Sequence, residues 1–132
     1  MTIKSSKELV NDALKEIKTI SHSEASKLHK DGSCNLIDIR DVRELEKEGR
    51  VEGSLHIPRG MLEFWLDPQS QYYSEEKFSK RKKLVLFCAA GMRSALATKT
   101  LKDMGYENIA HVEGGFGSLS TQGFEIINKE KK

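Results

Sequence analysis

The chain has 132 residues, 37% of them hydrophobic and 32% charged, with a formal net charge of +2. That length suits one domain with one sizeable core. The near-balanced charge gives no electrostatic footprint for nucleic acid, and no apolar run approaches the length of a membrane span.

Taken in chain order, the start MTIKSSKELVNDALKEIK lacks the apolar centre of a secretory signal, so neither signal nor anchor is expected. Ser5 and Glu8 have capping-box spacing, and Leu9, Val10, Ala13, Leu14 and Ile17 mark one apolar face, which predicts a first helix. An extended piece at Thr19–Ile20 precedes a second helix over Ser23–Lys30, ended by the Asp31-Gly32 turn. NLIDI (35–39) is a near-continuous apolar run, the pattern of a parallel strand covered on both faces. The polar segment RDVRELEKEG then reads as a short helix stopped by Gly49. Leu55–Ile57 reads as a short strand closed by Pro58, MLEFWLDP as a helical turn or two ended at Pro68, and YSEEKFSKR as another short helix. The basic run Lys77–Lys83 is a solvated helix end.

KLVLFC (83–88) is the clearest strand of the chain and RSALATKTLKDMG the clearest helix. In that helix Leu96, Ala97, Thr100, Leu101 and Met104 share a face, and Gly105 supplies the stop. NIAHV makes a fifth strand, EGGFGSLSTQG a final glycine-bounded helix or loop, and NKEKK a frayed tail. A single domain over 1–132 is expected, with a core from about 20 to 124, an N-terminal helix within 1–18 and a tail at 128–132. Strands alternating with helices at this spacing predict an α/β fold: an open parallel sheet of about five strands with helices on both faces.

Ligands of such sheets sit outside the carboxyl ends of the strands, and Cys88 ends the most apolar, hence central, strand. A thiolate is stabilised by the orphan amides and dipole of a helix N-terminus. In CAAGMRS, Ala89, Ala90 and Gly91 carry little bulk, so their amides can converge on the sulfur, and Gly91 permits the backbone angles this needs. Arg93 adds a cation, and Ser94 caps the helix or donates a further hydrogen bond. Cys88 reads as a nucleophile in this cradle or as an inert core cysteine, and Arg93 as a catalytic candidate beside it or as an anchor of the turn, with Ala89, Ala90, Gly91, Met92 and Ser94 as candidates to line the substrate. Arg59, just after Pro58, is a further candidate to receive an anion. Asp38 and Arg40 read as an ion pair or turn stabiliser at a strand end. Met61, Phe64 and Trp65 read as core or pocket rim, with a dimer contact as the alternative. Cys34 reads as a small buried hydrophobe, and His56 and His111 as strand residues without ligand roles. Two distant cysteines with no CxxC pair and four scattered histidines predict neither a disulfide scaffold nor a metal site.

CAAGMRS resembles the active-site loop of rhodanese-family sulfurtransferases, commonly Cys-x-x-Gly-x-Arg-Ser. NLIDIRD is similar to that family's IDVR strand end, GRVEGSLHIPRGMLEF to its GHIPGAxxIP segment, and MGYENIAHVEGGFGSL to its GF-x-x-V-x-x-L-x-GG stretch. These run in order from about Ile20 to Phe124, and PRGMLEFW is similar to single-domain bacterial members. Arg50, Glu52 and Leu119 depart from the family's histidine, proline and tryptophan, outside the cysteine turn. The resemblance implies a rhodanese-like fold and a double displacement. In it, Cys88 takes the outer sulfur of a donor such as thiosulfate and passes it, from a persulfide, to cyanide or a thiol. Arg93 would orient the loop and hold an anionic donor, and Asp38 with Arg40 would support the loop from behind. The neutral Ala89 and Ala90 stand where thiosulfate-preferring members often carry basic residues, which leaves the natural donor open.

The expected partners are the small-molecule donor and acceptor, or a sulfur-accepting protein. No cofactor, nucleic acid or membrane is expected, and the setting would be a cytoplasmic monomer or homodimer. Cysteine phosphatases of the same general fold place five residues between cysteine and arginine. Here four lie between Cys88 and Arg93, a ring suited to one sulfur atom rather than a tetrahedral oxyanion. Two alternatives remain. One is a binding or regulatory module without significant turnover. The other is a dithiol role for Cys34, which requires it to come within disulfide distance of Cys88.

Overall fold

A computed structural model describes residues 2–78, 82–119 and 124–127. Five strands form one sheet: β1 (Thr19–Ile20), β2 (Cys34–Asp38), β4 (Leu55–His56), β5 (Lys83–Phe87) and β6 (Ile109–Val112). Their spatial order is β1-β6-β5-β2-β4 and every pairing is parallel. The α/β class, the five strands and the central place of β5 agree with the sequence pattern.

Side-chain alternation divides the core into two apolar clusters. Leu36, Val85, Phe87, Ala110 and Val112 belong to one, with Phe116 and Leu119; Ile37, Leu84, Leu86 and Ile109 belong to the other, with Ala97 and Leu101. Cys88 continues the Leu84–Leu86 row into the second cluster. Covering on both sides is why β5 reads as an unbroken apolar run, and each fully buried large side chain contributes about 1.5–3 kcal/mol of burial free energy.

Around the sheet lie α1 (Ser6–Glu16), α2 (His22–Lys30), α3 (Val42–Glu48), α4 (Leu62–Trp65), α5 (Glu75–Phe78), α6 (Met92–Met104) and α7 (Gly115–Leu119), with a 3-10 turn at Arg59–Met61. Ser5 and Glu8 form the expected capping box on α1, and Asp41 with Glu44 forms a second on α3. After β2 the chain moves outward to β4, whereas after β5 it moves the other way to β6. The carboxyl ends of β2 and β5 therefore flank the point where the winding reverses, which is where crevices open in such sheets.

Several expectations need correction. β2 begins one residue earlier than expected, at Cys34, and ends at Asp38. Helix α1 buries Val10 and Ala13, while Leu9 and Leu14 are exposed, because the helix lies on α6 along a narrow contact. On α6 the buried residues are Ser94, Ala95, Ala97, Thr98 and Leu101, and Met104 is exposed. A second, two-stranded antiparallel ribbon pairs β3 (Arg50–Val51) with β7 (Ile126–Ile127). Two-residue strands carry no readable period, so this ribbon left no trace in the pattern. Part of the expected final loop (120–123) and the expected tail (128–132) lie outside the described residues.

Candidate active site

Cys88 is the first residue beyond β5 and is 1% exposed. Its Sγ accepts hydrogen bonds from the amides of Gly91, at 3.1 Å, and Ser94, at 3.3 Å. Among the described residues no other amide reaches the sulfur; those of Ala89, Ala90 and Met92 belong to the same turn without donating to it. Gly91 is the residue that closes the turn, with φ +105° at the N-cap of α6. The sulfur thus sits against the unsatisfied end of a thirteen-residue helix, whose dipole favours negative charge there.

The turn is held from outside by α7. The amide of Phe116 donates to the Cys88 carbonyl at 2.7 Å and that of Gly117 to the Ala89 carbonyl at 3.2 Å. Gly115 makes this approach feasible: a Cβ there would lie 2.3 Å from the Cys88 carbonyl oxygen, and its φ is +58°. Behind the same helix, Arg40 stacks its guanidinium 3.8 Å from the centre of the Phe116 ring. Arg40 and Asp38 are both fully buried and joined by Nη2–Oδ2 at 2.8 Å and Nε–Oδ1 at 3.0 Å, and Arg40 also donates to the Gly49 carbonyl at 2.9 Å. They form the expected ion pair, and it braces the element that braces the cysteine turn.

The other two candidate arginines make no hydrogen bond to the sulfur, although Arg93 lies near enough to Cys88 to feel its charge. Arg93 makes a two-pronged pair with Glu44 of α3, at 2.8 and 3.0 Å. Hydrogen bonding from Arg93 holds the Glu44 carboxyl below its ordinary range, and Glu44 in turn raises Arg93. Arg59, in the turn after β4, is engaged by Glu63 at 2.9 Å. Ser94 does not cap α6 with its side chain. Its hydroxyl lies 3.6 Å from Cys88 Sγ, 2.9 Å from His111 Nδ1 and 3.3 Å from the Gly91 carbonyl oxygen. Met92 is 62% exposed at the rim and Ala90 is exposed.

Sequence reasoning missed Glu44, Gly115, Phe116 and His111 as members of this neighbourhood. For His111 a signal existed: an imidazole among the four fully buried positions of β6 needs polar partners. His111 is a strand residue, as expected, and its ring reaches Ser94 on one side and Thr19 on the other. Cys34 lies at the opposite end of the sheet. It pairs in register with Lys83, five residues from Cys88, which sets the two cysteines about 16 Å apart, far beyond the roughly 7 Å limit for a disulfide. Burial pushes the Cys34 thiol up to about 11. Among the described residues there is no cluster of His, Cys, Asp or Glu that could hold a metal, and no helix long and apolar enough to cross a membrane.

The profile of the rhodanese-like domain family matches residues 21–122. A mouse protein named thiosulfate sulfurtransferase/rhodanese-like domain-containing protein 3 is 30% identical over 119 residues, covering 87% of this chain and 74% of its own length. A tRNA uridine(34) hydroxylase from Prochlorococcus marinus (strain MIT 9312) is 33% identical across 99% of this chain, which spans only 43% of that protein. Among solved structures, a protein of unknown function from Rhodopseudomonas palustris CGA009, described as a possible tyrosine phosphatase, superposes with a TM-score of 0.87. It is 45% identical and the match covers 96% of this chain and 98% of that one.

Proposed function

The chain belongs to the rhodanese-like domain family, and from that premise we propose that it is a sulfurtransferase carrying sulfane sulfur on Cys88. The observation that carries this reading is the sulfur itself, held by two amides at the start of α6 on the carboxyl end of the central strand. In the first half-reaction the Cys88 thiolate attacks the outer sulfur of a donor such as thiosulfate. The new S–S bond forms as the donor's S–S bond breaks, and sulfite leaves with that bond's electron pair. In the second, cyanide or a thiolate attacks the outer persulfide sulfur, and the Cys88 thiolate is released. The Gly91 and Ser94 amides stabilise negative charge on the Cys88 sulfur before the first transfer and after the second. A sulfur-accepting protein is the third acceptor class, and a cytoplasmic setting fits two unpaired thiols.

The description of the Rhodopseudomonas relative favours a second reading, phosphate-ester hydrolysis through a cysteinyl phosphate. Two features weigh against it. The turn has four residues between Cys88 and Arg93, too few to wrap a tetrahedral oxyanion, and both prongs of the Arg93 guanidinium are engaged by Glu44.

Thiocyanate formation from thiosulfate and cyanide, run beside hydrolysis of an aryl phosphate, separates the readings. The proposal expects thiocyanate, lost in Cys88→Ser, and no phosphatase turnover. Phosphate release that depends on Cys88 would reverse the assignment. Neither activity, with other sulfane donors also failing, would leave a binding module.

A further inference from the structure

Cys88 is sealed from solvent, yet a nucleophilic thiol must lose its proton. A row of hydrogen bonds leads outward from it. The Cys88 Sγ–H donates to Ser94 Oγ at 3.6 Å; Ser94 Oγ lies 2.9 Å from His111 Nδ1; His111 Nε2 lies 2.9 Å from Thr19 Oγ1. Cys88, Ser94 and His111 are 1%, 0% and 2% exposed, whereas Thr19 is exposed. Strand register builds the row: His111 is paired with Leu86 on its β5 side and with Thr19 on its β1 side. Every group between the thiol and the surface both donates and accepts. Ser94 has the Gly91 carbonyl as a second acceptor, but at 3.3 Å the imidazole is the nearer partner.

We propose that Ser94, His111 and Thr19 form a proton relay for Cys88, in which His111 exchanges one neutral tautomer for the other as the thiol ionises. With the thiol intact, S–H donates to Ser94 Oγ, the Ser94 hydroxyl donates to Nδ1, and Nε2–H donates to Thr19 Oγ1. On ionisation Ser94 takes the thiol proton while its own proton moves to Nδ1. Nε2 then gives its proton to Thr19 Oγ1, whose original proton passes to water. The S–H, Ser94 O–H, Nε2–H and original Thr19 O–H bonds break while new bonds to hydrogen form at Ser94 Oγ, Nδ1, Thr19 Oγ1 and water, so in sum one proton leaves Cys88 and one reaches solvent. The Ser94 hydroxyl now donates to the thiolate, beside the two amides.

The ring stays neutral throughout, which suits its setting. Burial holds His111 below the ordinary histidine range, with Glu113 of the same strand pulling weakly the other way. The groups meeting it from the neighbouring elements, Thr19 of β1, Leu86 of β5 and Ser94 of α6, are uncharged. The nearby Lys18, whose carbonyl accepts the His111 amide, is exposed, and Cys88 is the titratable group at the inner end of the row. His111 acts through Ser94, so it is a positioning residue and not a catalytic one.

The relay rests on Cys88 being the nucleophile, but its test reads ring nitrogens rather than turnover, so the two ideas fail separately. Full-length protein labelled with [15N]histidine would be titrated by NMR, His111 assigned with a His111→Gln variant, and Cys88 ionisation followed by thiolate absorbance. The expected result is a change from the Nε2-protonated to the Nδ1-protonated ring at the same midpoint as the thiolate, absent in Cys88→Ala. A ring that keeps one tautomer through that midpoint, or becomes imidazolium, overturns the proposal. The near-isosteric Thr19→Val change, at an exposed site, removes the outlet without emptying the core. It should slow alkylation of Cys88 at neutral pH about fivefold, and an unchanged rate would equally overturn the relay.

Discussion

The two ends of the sheet hold one cysteine each, and they show how little of a thiol's chemistry is intrinsic. Cys34 opens β2 in an apolar setting, where burial pushes its thiol up to about 11. Cys88 is buried at least as deeply but follows β5, so its sulfur meets the Gly91 and Ser94 amides at the start of a helix. Both thiols are out of water, and only one place supplies donors to the sulfur. The difference follows from strand direction: parallel strands put helix N-termini at their carboxyl ends.

The largest way to break that contrast is to exchange the thiols' fates. Cys88→Ser should abolish sulfur transfer in the thiocyanate assay, whereas Cys34→Ala should leave it within about twofold and cost on the order of 1 kcal/mol in urea unfolding. Equal losses of activity would mean that the two ends are not chemically distinct.

Next in size are the supports behind the turn. Asp38→Asn leaves the buried Arg40 guanidinium with only the half-exposed Glu48 as counter-charge, at a cost approaching the roughly 3–5 kcal/mol of a broken buried pair. The denaturation midpoint should fall accordingly, with activity falling alongside because Arg40 backs Phe116. Gly115→Ala forces a methyl into the Cys88 carbonyl and a left-handed conformation on alanine. A loss of about 2–4 kcal/mol, read by the same unfolding, is expected, or a displaced turn with reduced transfer.

The smallest effect sharpens the contrast at the rim. The Arg93–Glu44 pair is partly exposed, so its contribution to stability is about 0.2–1 kcal/mol. Glu44 has a lowered carboxyl, so that contribution is present above the ordinary carboxylate range and is lost as pH falls through the lowered value. Wild type and Glu44→Gln should therefore differ slightly in stability at neutral pH and converge in acid. The same variant frees Arg93 from its carboxylate partner, and kcat/KM for thiosulfate should rise a few-fold; no change would mean that Arg93 takes no part in receiving the anion.

How much was legible in advance depended on whether the interacting residues are contiguous. The strand runs NLIDI and KLVLFC, the Ser5–Glu8 cap and the Gly105 stop are local patterns, and the structure shows them within a residue or so. The CAAGMRS turn is also one contiguous stretch. Its partners are not: Glu44 lies 49 residues from Arg93, and His111 17 residues from Ser94. Nothing in RDVRELEKEG distinguishes Glu44 as a residue serving both the Asp41 cap and Arg93. The exposure of Leu9 and Leu14 was equally hidden, because an apolar face predicts burial only where a second surface is wide enough to cover it.

The central claim is that sulfur rides on Cys88 and not on Cys34. The direct measurement is to treat the native protein with a sulfane donor, trap persulfides by alkylation under non-reducing conditions, and locate the added sulfur by peptide mass spectrometry. The account predicts one added sulfur on the peptide containing Cys88 and none on that containing Cys34. Sulfur on Cys34, or on neither cysteine in folded protein given several donors, would contradict it.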